Sequence, residues 1–306
     1  MTKVIEAERG FKVWWHLTRP HTLTASFVPV FLGTTIALTV EGENINFLLF
    51  FAMLVASMLI QAATNMFNEY YDYKLGLDNE NSVGIGGTIV RHGVSPGTIM
   101  GIALGFYGIA LLLGIYICAM SSWWLAAVGL VCMLIGYLYT GGPYPIAYSP
   151  FGELVSGIVM GMGIVLIAFF IQTNTVTLDA VLLSVPSMVL VGAIMLSNNI
   201  RDIVGDTEGG RKTMAILVGR SNAVYILSLF FIVSYLWIAG LVIIDGITYW
   251  ALIVLLSIPK PIKAIDIFRL KKEPLEVMPA MKFTAQTNTI FGFLLAIGLL
   301  IDYLLF

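Results

Sequence analysis

Two short runs of acidic and amide residues recur along this chain. Asn65, Asn68 and Asp72 stand at i, i+3 and i+7, and Asn199, Asp202 and Asp206 repeat that spacing with Asn198 beside them. On an α-helix such spacing places all three side chains on one face. Asn198 and Asp202 follow Asn68 and Asp72 at an offset of 130 residues, and Asp78 follows the first run after Gly76. Carboxylate and amide oxygens are hard ligands. They suit Mg²⁺, which keeps several waters and usually joins one or two carboxylates to a substrate phosphate. Two such faces opposed to each other would hold a diphosphate between them through Mg²⁺. The anion also needs cationic donors, and Arg91, Arg201, Arg211 and Lys212 lie in the same two stretches. The run Gly84-Ile85-Gly86-Gly87 adds backbone N–H groups.

Two plainer accounts compete. Asn and Asp are common at helix ends, so any one of these residues could be a solvated cap; a duplicated set with basic partners fits that account poorly. A cation-coupled transporter also uses intramembrane carboxylates and internal repeats, but it has no evident use for long basic loops. Uptake of ions into vesicles would separate it from an enzyme.

The elements that must position these residues lie in a membrane. Of 306 residues, 58% are hydrophobic and 11% charged, with mean hydropathy +0.92; a soluble domain carries roughly 25% charged residues. Spanning the hydrocarbon core takes about 20 mostly apolar residues. Nine stretches qualify, near 22–40, 45–67, 97–119, 123–140, 154–172, 179–199, 222–244, 247–268 and 284–305. The chain thus reads as an all-α membrane protein, one polytopic domain over 1–306. Segment 11–19, carrying Trp14, Trp15 and His16, reads as an interfacial helix. With the N-terminus inside, all 16 Lys and Arg fall on one side, and the opposite loops carry only acids such as Glu41, Glu43, Asp179 and Asp245. That asymmetry predicts nine spans, N-terminus in and C-terminus out, in the plasma membrane with the working face toward the cytoplasm. Both acidic runs then close helices that cross in the same direction, so they reach the same depth. Ionisable groups near the bilayer centre cost a few kcal/mol or more each, and a matched pair of clusters needs a use.

Other features exclude other chemistry. Cys118 and Cys132 lie in apolar runs, with no CxxC and no His/Cys cluster, so neither a disulfide framework nor a zinc site is expected. The N-terminal segment has charges of both signs and no apolar core before Phe11, so no cleaved signal peptide is expected. No nucleic-acid partner is expected. His16, His21 and His92 read as structural or interfacial groups.

With these residues in view, the chain resembles the intramembrane aromatic prenyltransferase superfamily. Asn68-Glu69-Tyr70-Tyr71-Asp72, continuing to Asp78, is similar to its first aspartate-rich motif, and Asn198-Asn199-Ile200-Arg201-Asp202 with Asp206 to its second. The superfamily has nine transmembrane helices around a cavity open laterally to lipid. Within it, the chain resembles the branch that prenylates 1,4-dihydroxy-2-naphthoate in menaquinone biosynthesis. The segments that carry this are Arg19-Pro20-His21-Thr22-Leu23, Tyr139-Thr140-Gly141-Gly142-Pro143 with Gly152-Glu153, Gly209-Gly210-Arg211-Lys212-Thr213, and Thr284-Ala285-Gln286-Thr287. Branches that act on hydroxybenzoate or form haem usually carry a Lys-Arg pair after the corresponding tyrosine, which this chain lacks. Glu69 is a departure, since the family usually has aspartate there, and it is not counted as a direct metal ligand.

The resemblance implies Mg²⁺ as cofactor, polyprenyl diphosphate and the naphthoate as substrates, and loss of diphosphate and CO₂ to give demethylmenaquinol; another aromatic acceptor is the alternative. The expected metal ligands are Asn68, Asp72, Asp78, Asp202 and Asp206. Asp72, Asp202 and Tyr139 are the expected catalytic groups. Asn65, Asn68, Tyr70, Arg91, Tyr144, Asn198, Asn199, Arg201, Arg211 and Lys212 are the expected substrate contacts. Tyrosines, which attract cations by about 0.5–2 kcal/mol, suit a site that must shelter an allylic cation; Tyr71, Tyr137 and Tyr148 are further candidates.

Overall fold

Short polar side chains start the long apolar helices. Asn46 Oδ1 accepts from the backbone N–H groups of Leu48 and Leu49 at 3.1 and 3.2 Å. Ser95 accepts from Thr98 N–H ahead of a proline at the first helical position, and Thr177 accepts from Ala180 N–H. Each cap satisfies a donor that the helix itself cannot. The structure is a computed structural model that describes residues 10–20, 22–77 and 87–305. These residues form, in order, α1 (Phe11–Leu17), α2 (Thr24–Thr39), α3 (Phe47–Lys74), α4 (Thr88–His92), α5 (Pro96–Met120), α6 (Trp124–Leu138) and α7 (Gly152–Ser156). A π-helical turn over Gly157–Gly163 joins α7 to α8 (Ile164–Thr173). After it come α9 (Leu178–Glu208), α10 (Met214–Val218), α11 (Arg220–Ile243), α12 (Pro259–Leu270) and α13 (Pro274–Leu305).

All nine apolar stretches coincide with helical segments, but not with nine equal ones. Among the described residues, six segments are long and apolar enough to cross a membrane: α3, α5, Gly152–Thr173, α9, α11 and α13. Helices α2 and α6 have 16 and 15 residues, roughly 24 and 22 Å of rise. The stretch expected as one helix over 247–268 divides. Tyr249–Ser257 is a 3₁₀-helix and α12 begins at Pro259, where the ring fixes φ for a new helix start but supplies no N–H to continue the old one. Helices α3 and α9 run past their apolar windows to Lys74 and Glu208, so both acidic runs are helical throughout.

Packing explains the irregular elements. Pro186 interrupts α9 and cannot donate to the Leu182 carbonyl four residues back. The Trp237 indole N–H on α11 donates to that carbonyl at 2.8 Å instead. The π-helical turn presses against α9 close by: a Cβ on Gly161 would sit 2.5 Å from Met188 Cα, so only glycine permits this approach. Arg220 donates to the carbonyls of Ile200, Phe268 and Lys271 and ties α9 to the end of α12. The main core joins α2, α9, α11, α12 and α13, while a second cluster around Phe67, Ile99 and Ala103 joins α3 to α5. Leu104, Leu112 and Leu134 on α5 and α6 stay exposed, an apolar belt suited to lipid.

Candidate active site

One stripe of α3 faces a cavity of about 920 Å³: Met53, Ala56, Ser57, Ile60, Gln61, Thr64, Asn65, Asn68 and Asp72. The steps of three and four residues are those of a single helix face. Along it the side chains change from apolar to amide to acidic over 19 residues, roughly 28 Å. On α9, Val191, Ile194, Met195, Asn198, Asn199, Asp202 and Asp206 repeat the gradient. Helices α5 and α6 close the apolar end with Leu111, Ile115, Ile117, Leu125 and Leu130. The cavity is therefore graded for a molecule with an anionic head and a long apolar tail.

The polar end is held by one arginine. Beyond α9, Gly210 adopts a left-handed φ of +75° and turns the chain back, so that Arg211 N–H donates to the Asp206 carbonyl. Its guanidinium then bridges the two runs, with Nη2 2.5 Å from Asp72 Oδ1 and Nη1 2.9 Å from Asp206 Oδ1. It also lies 5.2 Å from the Tyr148 ring centre. Burial by itself would lower the Arg211 pKa; the Asp72 and Asp206 carboxylates outweigh it and hold the pKa above the ordinary value. Arg201 makes a two-point contact with its neighbour Asp202, Nε to Oδ1 at 2.6 Å and Nη2 to Oδ2 at 2.5 Å. Asn68 and Asn198 line the cavity and hydrogen-bond to no described residue, so their amides are open to a ligand.

Two further amides, Asn65 and Asn199, are each held by bonds to other elements of the fold. Asn65 Nδ2 donates to Thr18 O at 2.9 Å and Thr22 Oγ1 at 3.0 Å, and its Oδ1 accepts from Gln61. Asn199 Nδ2 donates to Glu153 Oε1 at 2.9 Å. Tyr139 is on the wall; Gly152 leaves room for it, since a Cβ there would sit 2.9 Å from the Tyr139 hydroxyl. Glu69 faces away: it is 1% exposed, its Oε1 accepts from Ile89 N–H, and Oε2 lies 4.0 Å from Arg19.

Four expected contacts stand off the wall. Tyr144 is 91% exposed. Lys212 is exposed, and Arg91 is half-buried on α4. Tyr70 packs edge-on against Tyr71 with the Lys74 ammonium 5.9 Å from its ring centre. Asp78, His21 and Gly84-Ile85-Gly86 lie outside the described residues.

Other polar wall residues lie outside the two acidic runs. Arg19 reaches the cavity from a turn in which it takes φ +49°, a conformation rare for a side chain of its size and typical of functional strain. Gln61 and Thr64 continue the α3 stripe and are detectable as polar residues inside an apolar span. Among the described residues no three His, Cys, Asp or Glu side chains are grouped closely enough to hold a metal ion by themselves. The oxygen-only donors still fit Mg²⁺, which needs only one or two carboxylates when phosphate supplies the rest.

The comparisons with known proteins agree with this chemistry. Residues 26–277 match the UbiA prenyltransferase family. The chain is 60% identical over 292 residues to the 1,4-dihydroxy-2-naphthoate octaprenyltransferase of Bacillus subtilis (strain 168), covering 95% of this chain and 93% of that enzyme. Its fold is similar to the apo structure of a UbiA homolog from Aeropyrum pernix K1, with TM-score 0.69 and 15% identity over 92% of this chain and 98% of that one. It is also similar to a UbiA homolog from Archaeoglobus fulgidus bound to DMAPP and Mg²⁺, with TM-score 0.60 and 15% identity over 93% and 99%. At such identity the two structures speak for the fold alone.

Proposed function

This chain belongs to the UbiA prenyltransferase family, and we propose that it transfers a polyprenyl chain from polyprenyl diphosphate to 1,4-dihydroxy-2-naphthoate, giving demethylmenaquinol, diphosphate and CO₂. The observation that carries the acceptor is the 60% identity, over nearly the whole chain, to a Bacillus subtilis enzyme named for that reaction. The graded cavity supports the donor: the acidic end suits a metal-bound diphosphate and the apolar end a prenyl tail.

Asn68, Asp72, Asp202 and Asp206, with Asp78 from outside the described residues, would hold Mg²⁺. Bound there, the metal supplies Lewis-acid neutralisation of the departing diphosphate. Arg211 and Arg201 donate charge-assisted hydrogen bonds to the same anion. The allylic C–O bond breaks with its electron pair going to diphosphate oxygen. A pair from the acceptor ring forms the new C–C bond, and the pair of the C–CO₂ bond returns to the ring as CO₂ leaves. The chain itself forms no covalent intermediate. Tyr139 offers its ring face to the cation, and the apolar walls exclude the water that would quench it.

The protein is a multi-pass membrane protein. We infer nine spans in the plasma membrane, N-terminus in and C-terminus out, with the acidic end toward the cytoplasm; the one-sided basic residues support this orientation. The decisive assay uses membranes carrying this chain, radiolabelled polyprenyl diphosphate, and naphthoate, hydroxybenzoate or homogentisate as acceptor. Product with the naphthoate alone, abolished by EDTA and restored by Mg²⁺, is expected. Transfer to hydroxybenzoate or homogentisate instead would overturn the acceptor assignment.

A further inference from the structure

We propose that Glu153 is a positioning residue that fixes the amide of Asn199 so that its oxygen faces the cavity as a ligand for the cation that accompanies the diphosphate. The proposal rests on the functional reading above. Glu153 lies in the first turn of helix α7 and is 2% exposed. Helix α7 lies directly against α9: a Cβ on Gly192 would sit 3.1 Å from the Glu153 carbonyl oxygen. From there Glu153 Oε1 accepts from Asn199 Nδ2 at 2.9 Å across 46 residues of sequence. Its other oxygen, Oε2, is buried without a hydrogen-bond partner among the described residues.

A carboxylate can only accept, so the atom of Asn199 that meets it must be the –NH₂ group. Oδ1 is thereby turned the other way. It has no partner among the described residues, and Asn199 lines the cavity on the helix face shared with Asp202 and Asp206. That makes three oxygen-bearing side chains at i, i+3 and i+7, one of them locked in orientation from behind. Burying an acidic side chain this completely, with one neutral amide as the hydrogen-bond partner of its carboxylate, is costly for the fold. Holding a ligand in register for a cation is a function that would offset that cost, as carboxylates behind metal-binding histidines do elsewhere.

The lock predicts a specific mutational pattern. In Glu153→Gln the shape is kept, but an amide facing an amide can pair in either sense, so Asn199 is free to turn its oxygen inward. Mn²⁺ binding to detergent-purified protein, followed by electron paramagnetic resonance with and without inorganic diphosphate, reads this without turnover. The expected loss in Mn²⁺ affinity is about tenfold, with a similar rise in the Mg²⁺ concentration for half-maximal transfer and little change in kcat at saturating Mg²⁺. The reciprocal double variant Glu153→Gln/Asn199→Asp reverses the polarity of the bond. The introduced amide on α7 then donates, the introduced carboxylate on α9 accepts, and an oxygen is again left toward the cavity. This variant should regain most of the lost affinity. A role in stability alone predicts a lower Tm with unaltered affinity in whatever protein remains folded.

Unaltered Mn²⁺ affinity in folded Glu153→Gln overturns the proposal, as does a folded double variant that stays as weak as the single one. Should Glu153→Gln not fold, Asn199→Ala and the double variant carry the same comparison: weak binding in the first and recovery in the second support the lock, and equal affinities refute it. The wild-type protein separates this from the broader reading. If it binds Mn²⁺ with diphosphate but transfers no prenyl group, the functional assignment fails while the lock stands.

Discussion

The acidic runs on α3 and α9 have the same spacing and different surroundings. On α3, Asn65 is consumed by Thr18 and Thr22, and Glu69 is turned behind the helix toward Ile89 and Arg19. Asn68 and Asp72 are left to face the cavity. On α9 every member of the run remains on the wall, each acid contacts an arginine, and Asn199 is held from behind by Glu153. Shared period therefore means a shared face, not shared employment. The α3 run anchors the Thr18–Thr22 segment to the bundle and contributes few free ligands; the α9 run is the more complete half of the proposed anion site. Arg211 is the piece they have in common.

The sharpest test asks whether the halves are equally necessary. Asp72→Asn and Asp202→Asn should each lower kcat by at least about a hundredfold, in the range found when one charge-stabilising group is removed from a polar site. Membrane assays normalised to the amount of folded protein measure this. Near-normal transfer by either variant at saturating Mg²⁺ would reduce the site to one cluster.

Arg211 should matter next. Losing a charge-assisted bond to a buried anion costs about 1.5–3 kcal/mol, roughly ten- to a hundredfold in kcat/KM. Arg211→Ala is expected to fall in that range for the prenyl diphosphate, and Arg201→Ala toward its lower end because Arg201 contacts one acid rather than two. The KM of the aromatic acceptor should move less in both. A rise in acceptor KM with unchanged diphosphate parameters would instead make these arginines the binders of the naphthoate carboxylate.

The amides give a smaller and opposite pair. Asn65→Ala strands the Thr18 carbonyl and should cost about 1–3 kcal/mol of stability, read as a lower Tm in detergent, with substrate KM nearly constant. Asn68→Ala removes no bond within the described fold and should leave Tm alone while raising the diphosphate KM about fivefold, the equivalent of one hydrogen bond. If Asn65→Ala changed KM and not Tm, the division of labour on α3 would be wrong.

Much of this was legible in the residues because helix period is local. The i, i+3, i+7 spacing placed Asn68, Asp72, Asp202 and Asp206 on cavity faces, and each apolar window fell on a helical segment. Other features depend on distant partners. No pattern near Asn199 announces that Glu153 will approach it, and no pattern near Arg211 announces that it will reach Asp72, 139 residues earlier. The division of the stretch 247–268 was signalled by Pro259 and Pro261, which hydropathy averages away. Tyr70 and Tyr144 are near the right motifs but stand off the wall: Tyr70 lies two residues, about 200° around the helix axis, from both Asn68 and Asp72, and Tyr144 sits in an irregular segment beyond α6 rather than on a helix.

The smallest effect is expected beside one of the larger ones. Lys212 follows Arg211, and in sequence the two are equally good anion donors. In the fold they differ. Gly210 turns the chain so that Arg211 enters between the acids, while Lys212 spends its N–H on the Tyr148 carbonyl at 3.0 Å and leaves its side chain exposed. An exposed ammonium is well hydrated and screened, worth about 0–1 kcal/mol to a partner, so Lys212→Ala should lower kcat/KM for the diphosphate by less than about fivefold, and less again at high salt. Measuring both variants across a salt series separates the cases: the Arg211→Ala loss should persist as ionic strength rises, because its contacts are buried, and the Lys212→Ala loss should fade. Equal, salt-resistant losses would mean that the segment after Gly210 rearranges when substrate binds and brings Lys212 onto the anion, so that both residues of the pair belong to the site.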